Sequence, residues 1–132
     1  MKANHYVPDG FHTVTPYLHV QGAEKLIDFL KQAFGAEELN RSTDADGRIR
    51  HAEIRLEGSI IECSEGRDPY PPMQSAIHLY VRDTDKCYEQ AIAAGAASLY
   101  EPADMPYGER SAGVKDPFGN HWYIATFMGT VR

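Results

Sequence analysis

The chain has 132 residues, a formal charge of −6, and 42% hydrophobic against 24% charged residues. That length supports one well-covered core in an ordered globular chain. The acidic balance, with no basic run, excludes nucleic-acid binding through phosphates. No apolar stretch nears the roughly 20 residues that span a bilayer, which excludes a membrane partner of that kind. The opening Met1-Lys2-Ala3-Asn4-His5 leads into no apolar segment and shows no signal-peptide pattern. Cys63 and Cys87 are too few for a disulfide framework, and each lies in an apolar-periodic element. Buried reduced thiols in a cytoplasmic protein are the expectation.

Residues 1–10 carry Pro8, Asp9 and Gly10 without periodicity and read as an N-terminal tail. Residues 13–20 alternate, Pro16, Leu18 and Val20 against Thr15, Tyr17 and His19, which predicts a half-buried strand. The period then changes. Ala23, Leu26, Ile27 and Leu30 recur at helical spacing, and Gly35 stands where a left-handed stop belongs. A strand over 37–42, turn chemistry at 44–47, and strands over 51–56 and 59–64 follow. The proline-stiffened stretch 66–72 reads as a linker.

After it the order repeats. A strand over 75–81 precedes a helix with Thr84 as N-cap and a stripe of Cys87, Tyr88, Ala91 and Ile92 before Gly95. Strands starting at 97–100 and running over 109–115 and 121–127 complete the chain, with Asp116-Pro117-Phe118-Gly119 as the last turn. Sliding the chain on itself so that Gly47 meets Gly108 also lays Gly58 on Gly119, Glu62 on Tyr123 and Leu18 on Leu79. The architecture expected is α+β: two half-domains, each a strand, a helix and three strands. Each half has only one helix to cover its sheet, so pairing the halves would close the uncovered faces around a shared cavity.

The face opposite the apolar one carries Thr15, Tyr17, His19, His51, Glu53, Arg55, Glu62, His78, Tyr80, His121 and Tyr123. Parity with Ile49 adds Arg110. A solvated sheet face would look similar, yet this set is rich in His and Tyr rather than Lys and Glu, as a pocket lining is. Imidazoles and carboxylates on neighbouring strands are also ligand types for Zn, Ni, Mn or Fe. Glu62 is the best single candidate. His78 is open to three roles: metal ligand, general base, or hydrogen-bonded pocket residue. Trp122 falls on the helix side and reads as core. Neither a Ser/His/Asp grouping nor a Gly-rich phosphate loop stands out.

The pieces Thr15-Pro16-Tyr17-Leu18, Phe34-Gly35-Ala36-Glu37, His51-Ala52-Glu53-Ile54-Arg55 and His78-Leu79-Tyr80-Val81 carry a family resemblance, and Tyr107-Gly108-Glu109-Arg110 with Asp116-Pro117-Phe118-Gly119 carries it most. The chain resembles the vicinal oxygen chelate superfamily, the glyoxalase/bleomycin-resistance/dioxygenase fold, and within it the PhnB-like proteins. The resemblance implies one domain over 11–130, with βαβββ modules at about 12–65 and 75–128, linker 66–74, and paired mixed, curved sheets forming a cup. It further implies a homodimer with sites between modules or subunits. The family's four metal-ligand positions fall on Thr15, Glu62, Ala76 and Tyr123, of which only Glu62 is a good ligand. His78, two residues beyond Ala76, is the substitute on that face.

Three functions fit: a metal-assisted lyase, isomerase or dioxygenase using Glu62 and His78; a metal-free binding protein for a small, cationic or aromatic molecule; and a metal-free enzyme with His78 or Glu62 as base. The binding protein is the reading adopted. Tyr17, His51, Glu53, Tyr80, Tyr107, Arg110, His121 and Tyr123 are its expected ligand contacts. The cofactor stays open between none and a divalent metal.

Overall fold

Each half of the chain folds in the same order in the computed structural model, which describes residues 5–129. The first half runs β1 (Tyr17–Val20), α1 (Ala23–Phe34), β2 (Glu37–Thr43), β3 (Ile49–Leu56) and β4 (Ser59–Glu65). The second runs β5 (Ala76–Tyr80), α2 (Thr84–Ala93), β6 (Ala97–Met105), β7 (Glu109–Lys115) and β8 (His121–Phe127). Two four-stranded mixed sheets result, ordered β1-β4-β3-β2 and β5-β8-β7-β6, and they do not close into a barrel. Tyr17 stands opposite Glu62 in the parallel pair of the first sheet, and His78 opposite Tyr123 in that of the second. The internal correspondence of Glu62 with Tyr123 is therefore a correspondence of register.

The helices form where apolar spacing and end chemistry agree. Leu26, Ile27, Leu30 and Ala33 put a buried stripe on α1. Its first amides have no local cap. Glu65, at the end of β4, supplies one instead: its carboxylate accepts from the Gly22 and Ala23 N–H groups at 2.9 Å each. Gly35 ends the helix at φ 67°, as expected from its position. On α2 the expected cap moves by one residue. Asp83 is the N-cap and accepts from the Lys86 N–H at 3.1 Å. Thr84 is the first helical residue, and its buried hydroxyl donates to the Arg110 carbonyl at 3.0 Å and meets the Thr126 hydroxyl at 2.8 Å.

Between helices and sheets lies a core drawn from both halves, with Leu18, Leu26, Ile54, Trp122 and Ile124 fully enclosed. The Phe34 ring, 5.0 Å from Trp122, joins α1 to the second sheet. Buried Asp116 organises the last turn: one oxygen accepts from the Phe118 and Asn120 amides, and the other from Trp122 Nε1 at 2.9 Å.

That turn also separates the two halves. Glu57 and Gly58 link the paired Leu56 and Ser59, whereas Pro117, Phe118 and Gly119 lie between Asp116 and Asn120, which are joined by a backbone bond of 2.8 Å. The additional residue displaces β7 by one position: Ala52 faces Cys63 in the first sheet, but Ala112 faces Ile124 in the second. A slip of one residue turns every side chain of a strand to the other face. Arg110 accordingly shares the helix side with Ala112 and Val114. It is bound to Asp85 of α2 and does not join the open polar face, which corrects the parity argument.

Candidate functional site

The side of the first sheet turned away from the helices gathers Tyr17 and His19 of β1, Glu62 and Ser64 of β4, and His51 and Glu53 of β3. Their intervening neighbours Leu18, Cys63 and Ala52 are buried beneath the helices. The face has two chemically different ends.

At one end Glu53 stands directly across from Glu62, and His51 Nε2 makes a very short contact with Glu62 Oε1. One ligand atom each from His51, Glu53 and Glu62 lies within 4.8 Å of the others. One imidazole and two carboxylates are a donor set for Zn, Mn or Fe(II). Asn40 steadies Glu53 by donating from Nδ2 at 2.5 Å. The N-terminal segment folds against this end: Tyr6, Phe11, His12 and Thr15 share a pocket of about 360 Å³ with Glu53 and Glu62. Tyr6, Val7 and Pro8 of the expected tail belong to this arrangement, and residues 1–4 lie outside the described residues.

At the other end the rings form a ladder. His51 and Tyr17 have centroids 5.9 Å apart, Tyr17 and His19 stack at 4.8 Å, and His19 and Tyr70 stack at 5.9 Å with 13° between planes. Ser64 Oγ, 3.2 Å from His19 Nδ1, fixes the imidazole. Tyr17, His19, Arg50, Ser64, Arg67 and Tyr70 line a pocket of about 290 Å³. The linker-like stretch thus contributes a wall. It is pinned by the Gly66 N–H to the Val20 carbonyl at 2.8 Å, the Arg67 N–H to the Tyr70 carbonyl at 2.7 Å, and the Met73 N–H to the His19 carbonyl at 3.0 Å.

The candidates in the second half assemble elsewhere. His78 Nε2 lies 3.4 Å from Glu109 Oε1, Tyr80 donates its hydroxyl to Glu109 at 2.6 Å, and the His78 and Tyr80 rings touch at 4.6 Å. His78 and Tyr80 line a groove of about 380 Å³ with Leu56 and Ile60 between the halves. His121 Nδ1 sits 3.2 Å from the Tyr123 hydroxyl, and Tyr107 is 49% exposed on the β6–β7 turn. Among the described residues, the group that could hold an ion with Glu62 is therefore His51 and Glu53, and His78 is not a member of it. The family's four ligand positions do not fit a metal here. Ala76 offers no donor, the Thr15 hydroxyl is directed to the His12 carbonyl, and the Tyr123 hydroxyl is engaged by His121.

Arg50, Ser64, Arg67 and Tyr70 were not foreseen as site residues. Ser64 shares the alternation of Glu62, so parity could have found it. Arg50 sits at an irregularity between β2 and β3, where Ser42 pairs His51 but Thr43 pairs Ile49, so parity fails there.

Two paired four-stranded sheets, each with one helix, define an α+β protein of duplicated βαβββ units. A family model described as the Glyoxalase/Bleomycin resistance protein/Dioxygenase superfamily matches residues 3–124, and the chain belongs to that superfamily. It is 34% identical over 122 residues to an uncharacterized protein of Mycobacterium bovis, covering 84% of this chain and 80% of that one. Among solved structures it is similar to TioX from Micromonospora sp. ML1, at 27% identity and TM-score 0.73 over 92% of this chain and 98% of that one. TnmS3 from Streptomyces sp. CB03234, described as an antibiotic binding protein, shares the fold at 21% identity and TM-score 0.71, over 94% and 99% of the two chains.

Proposed function

We propose that this chain is a small-molecule-binding member of the superfamily whose ligand lies on the open face of the first sheet, against Tyr17, His19 and Tyr70. The observation that carries the proposal is the ring ladder beside a pocket of about 290 Å³, bordered by polar side chains that can fix a ligand's orientation. The use of this fold for antibiotic binding in TnmS3 supports it. Titration of purified protein with small fused-ring aromatics, followed by calorimetry, tests it. Tyr17→Ala and Tyr70→Ala, each with an unchanged circular dichroism spectrum, are expected to weaken binding. Undiminished binding in both variants would place the ligand elsewhere.

A second reading, metal-assisted chemistry, is favoured by the proximity of His51, Glu53 and Glu62, and it replaces the pairing of Glu62 with His78. A homodimer is part of the proposal: Phe127 and Met128 are 63% and 62% exposed, and the Met128 N–H donates to the carbonyl of Gly108, next to exposed Tyr107, which offers apolar surface to a second copy. Light scattering on the purified chain checks that state. The free, buried Cys63 and Cys87 support a reducing, cytoplasmic setting. No helix among the described residues is long and apolar enough to cross a membrane.

A further inference from the structure

We infer that the pocket beside the ring ladder is selective for a planar aromatic anion, an aromatic carboxylate or a molecule of that chemistry. The inference rests on the proposed small-molecule site and names its ligand class. It starts from two arginines. Arg41, Arg48, Arg55 and Arg110 each hold a carboxylate within ion-pair distance. Arg50 and Arg67, which face the pocket, hold none among the described residues. Asp44, which feels the charge of Arg50, directs its carboxylate to the Asp46 and Arg48 amides instead. Arg82, also without an ion pair, does not line the pocket.

A chain with a formal charge of −6 repels anions at long range, so any attraction for one must be local. Two guanidiniums with unused donors at one pocket supply it, since each can present paired N–H groups to a carboxylate. The ladder of Tyr17, His19 and Tyr70 supplies flat surface for the ring carrying the charge. At the far end of the same face, Glu53 and Glu62 reject an anion placed the other way round. The overall acidity suggests a cationic ligand, and the local charge reverses that expectation.

The test is calorimetric titration of the full chain with 1-naphthoate, its neutral amide 1-naphthamide, and the cation 1-naphthylmethylammonium. The expected result is naphthoate binding about tenfold or more tighter than the amide, weakened by salt. Arg50→Gln or Arg67→Gln should each weaken naphthoate more than the amide, and the two together should bring naphthoate down to the amide's affinity. Both arginines lie on the surface, so these variants test recognition rather than folding. Amide or cation binding as tight as naphthoate, with Tyr70→Ala still weakening it, would overturn the anion inference and leave the aromatic site standing. Failure of all three probes to bind the folded protein would overturn both.

Discussion

Arg110 of β7 grips Asp85 in the first turn of α2 at two points, Nε to Oδ1 at 2.5 Å and Nη2 to Oδ2 at 2.8 Å. The hydrogen-bonded guanidinium holds the Asp85 carboxyl below its usual range. A carboxylate so depressed stabilises the fold above its ordinary value of 3.8, and the contribution is lost as pH falls through the lower, folded value. Arg110→Gln is therefore expected to lower the thermal midpoint at neutral pH. The gap from the parent should close as the pH is taken below that range, and naphthoate binding should be unaffected. A variant that loses ligand and keeps its stability would return Arg110 to the binding face.

A divalent cation added to the purified chain is expected to bind where His51, Glu53 and Glu62 converge. Titration with Zn²⁺ or Mn²⁺ and measurement of bound metal after desalting should show Glu62→Gln and Glu53→Gln losing the ion and His78→Ala keeping it. Metal lost only in the His78 variant would reinstate the pairing of Glu62 with His78.

Gly113 sits under a ring: a Cβ added there would lie 2.4 Å from Tyr100 Cε1. Tyr100 is held over the strand by its hydroxyl, 2.8 Å from Ser111 Oγ. Gly113→Ala should cost about 1–3 kcal/mol of stability, as overpacking does. The Tyr100→Ala background should remove most of that increment. Equal costs in both backgrounds, measured by urea unfolding, would show that the ring is not the obstacle.

Burial pushes the Cys63 thiol from an ordinary 9.0 up to about 12. The folded chain then keeps a proton that the unfolded chain releases. Stability from this group is complete below pH 9.0 and is lost as pH rises towards about 12. By about pH 11 the loss should be on the order of 1–3 kcal/mol, and Cys63→Ala should lack that part of the alkaline decline. In the native state neither Cys63 nor Cys87 should react with a thiol reagent at neutral pH, because both are buried. Rapid labelling of native protein would contradict this.

The order of elements was legible because helix and strand periods announce themselves locally: Leu18 with Val20, Ile77 with Leu79, and the stripe from Ala23 to Ala33 all lie where their spacing places them. Boundaries were less so. β6 continues through Pro102 to Met105, which an edge strand tolerates because its outer amides need no partner. Asp83 and Thr84 are both competent caps, and the hydroxyl partners of Thr84 on the sheet decide between them. The site was half legible. Tyr17, His51, Glu53 and Glu62 follow from alternation, whereas Arg67 and Tyr70 reach the same face only through backbone bonds to distant β1.

One inserted residue in the turn before β8 has given the twin halves different employment. In the first half the strand next to the centre offers its imidazole and carboxylate to whatever arrives from solution. In the second, the displaced strand commits its guanidinium to bracing a helix. Deleting one residue of that turn would bring β7 back into the register of β3, pull Arg110 off Asp85 and carry Ala112 and Val114 out of the core, so the asymmetry is locked into the packing of the second half.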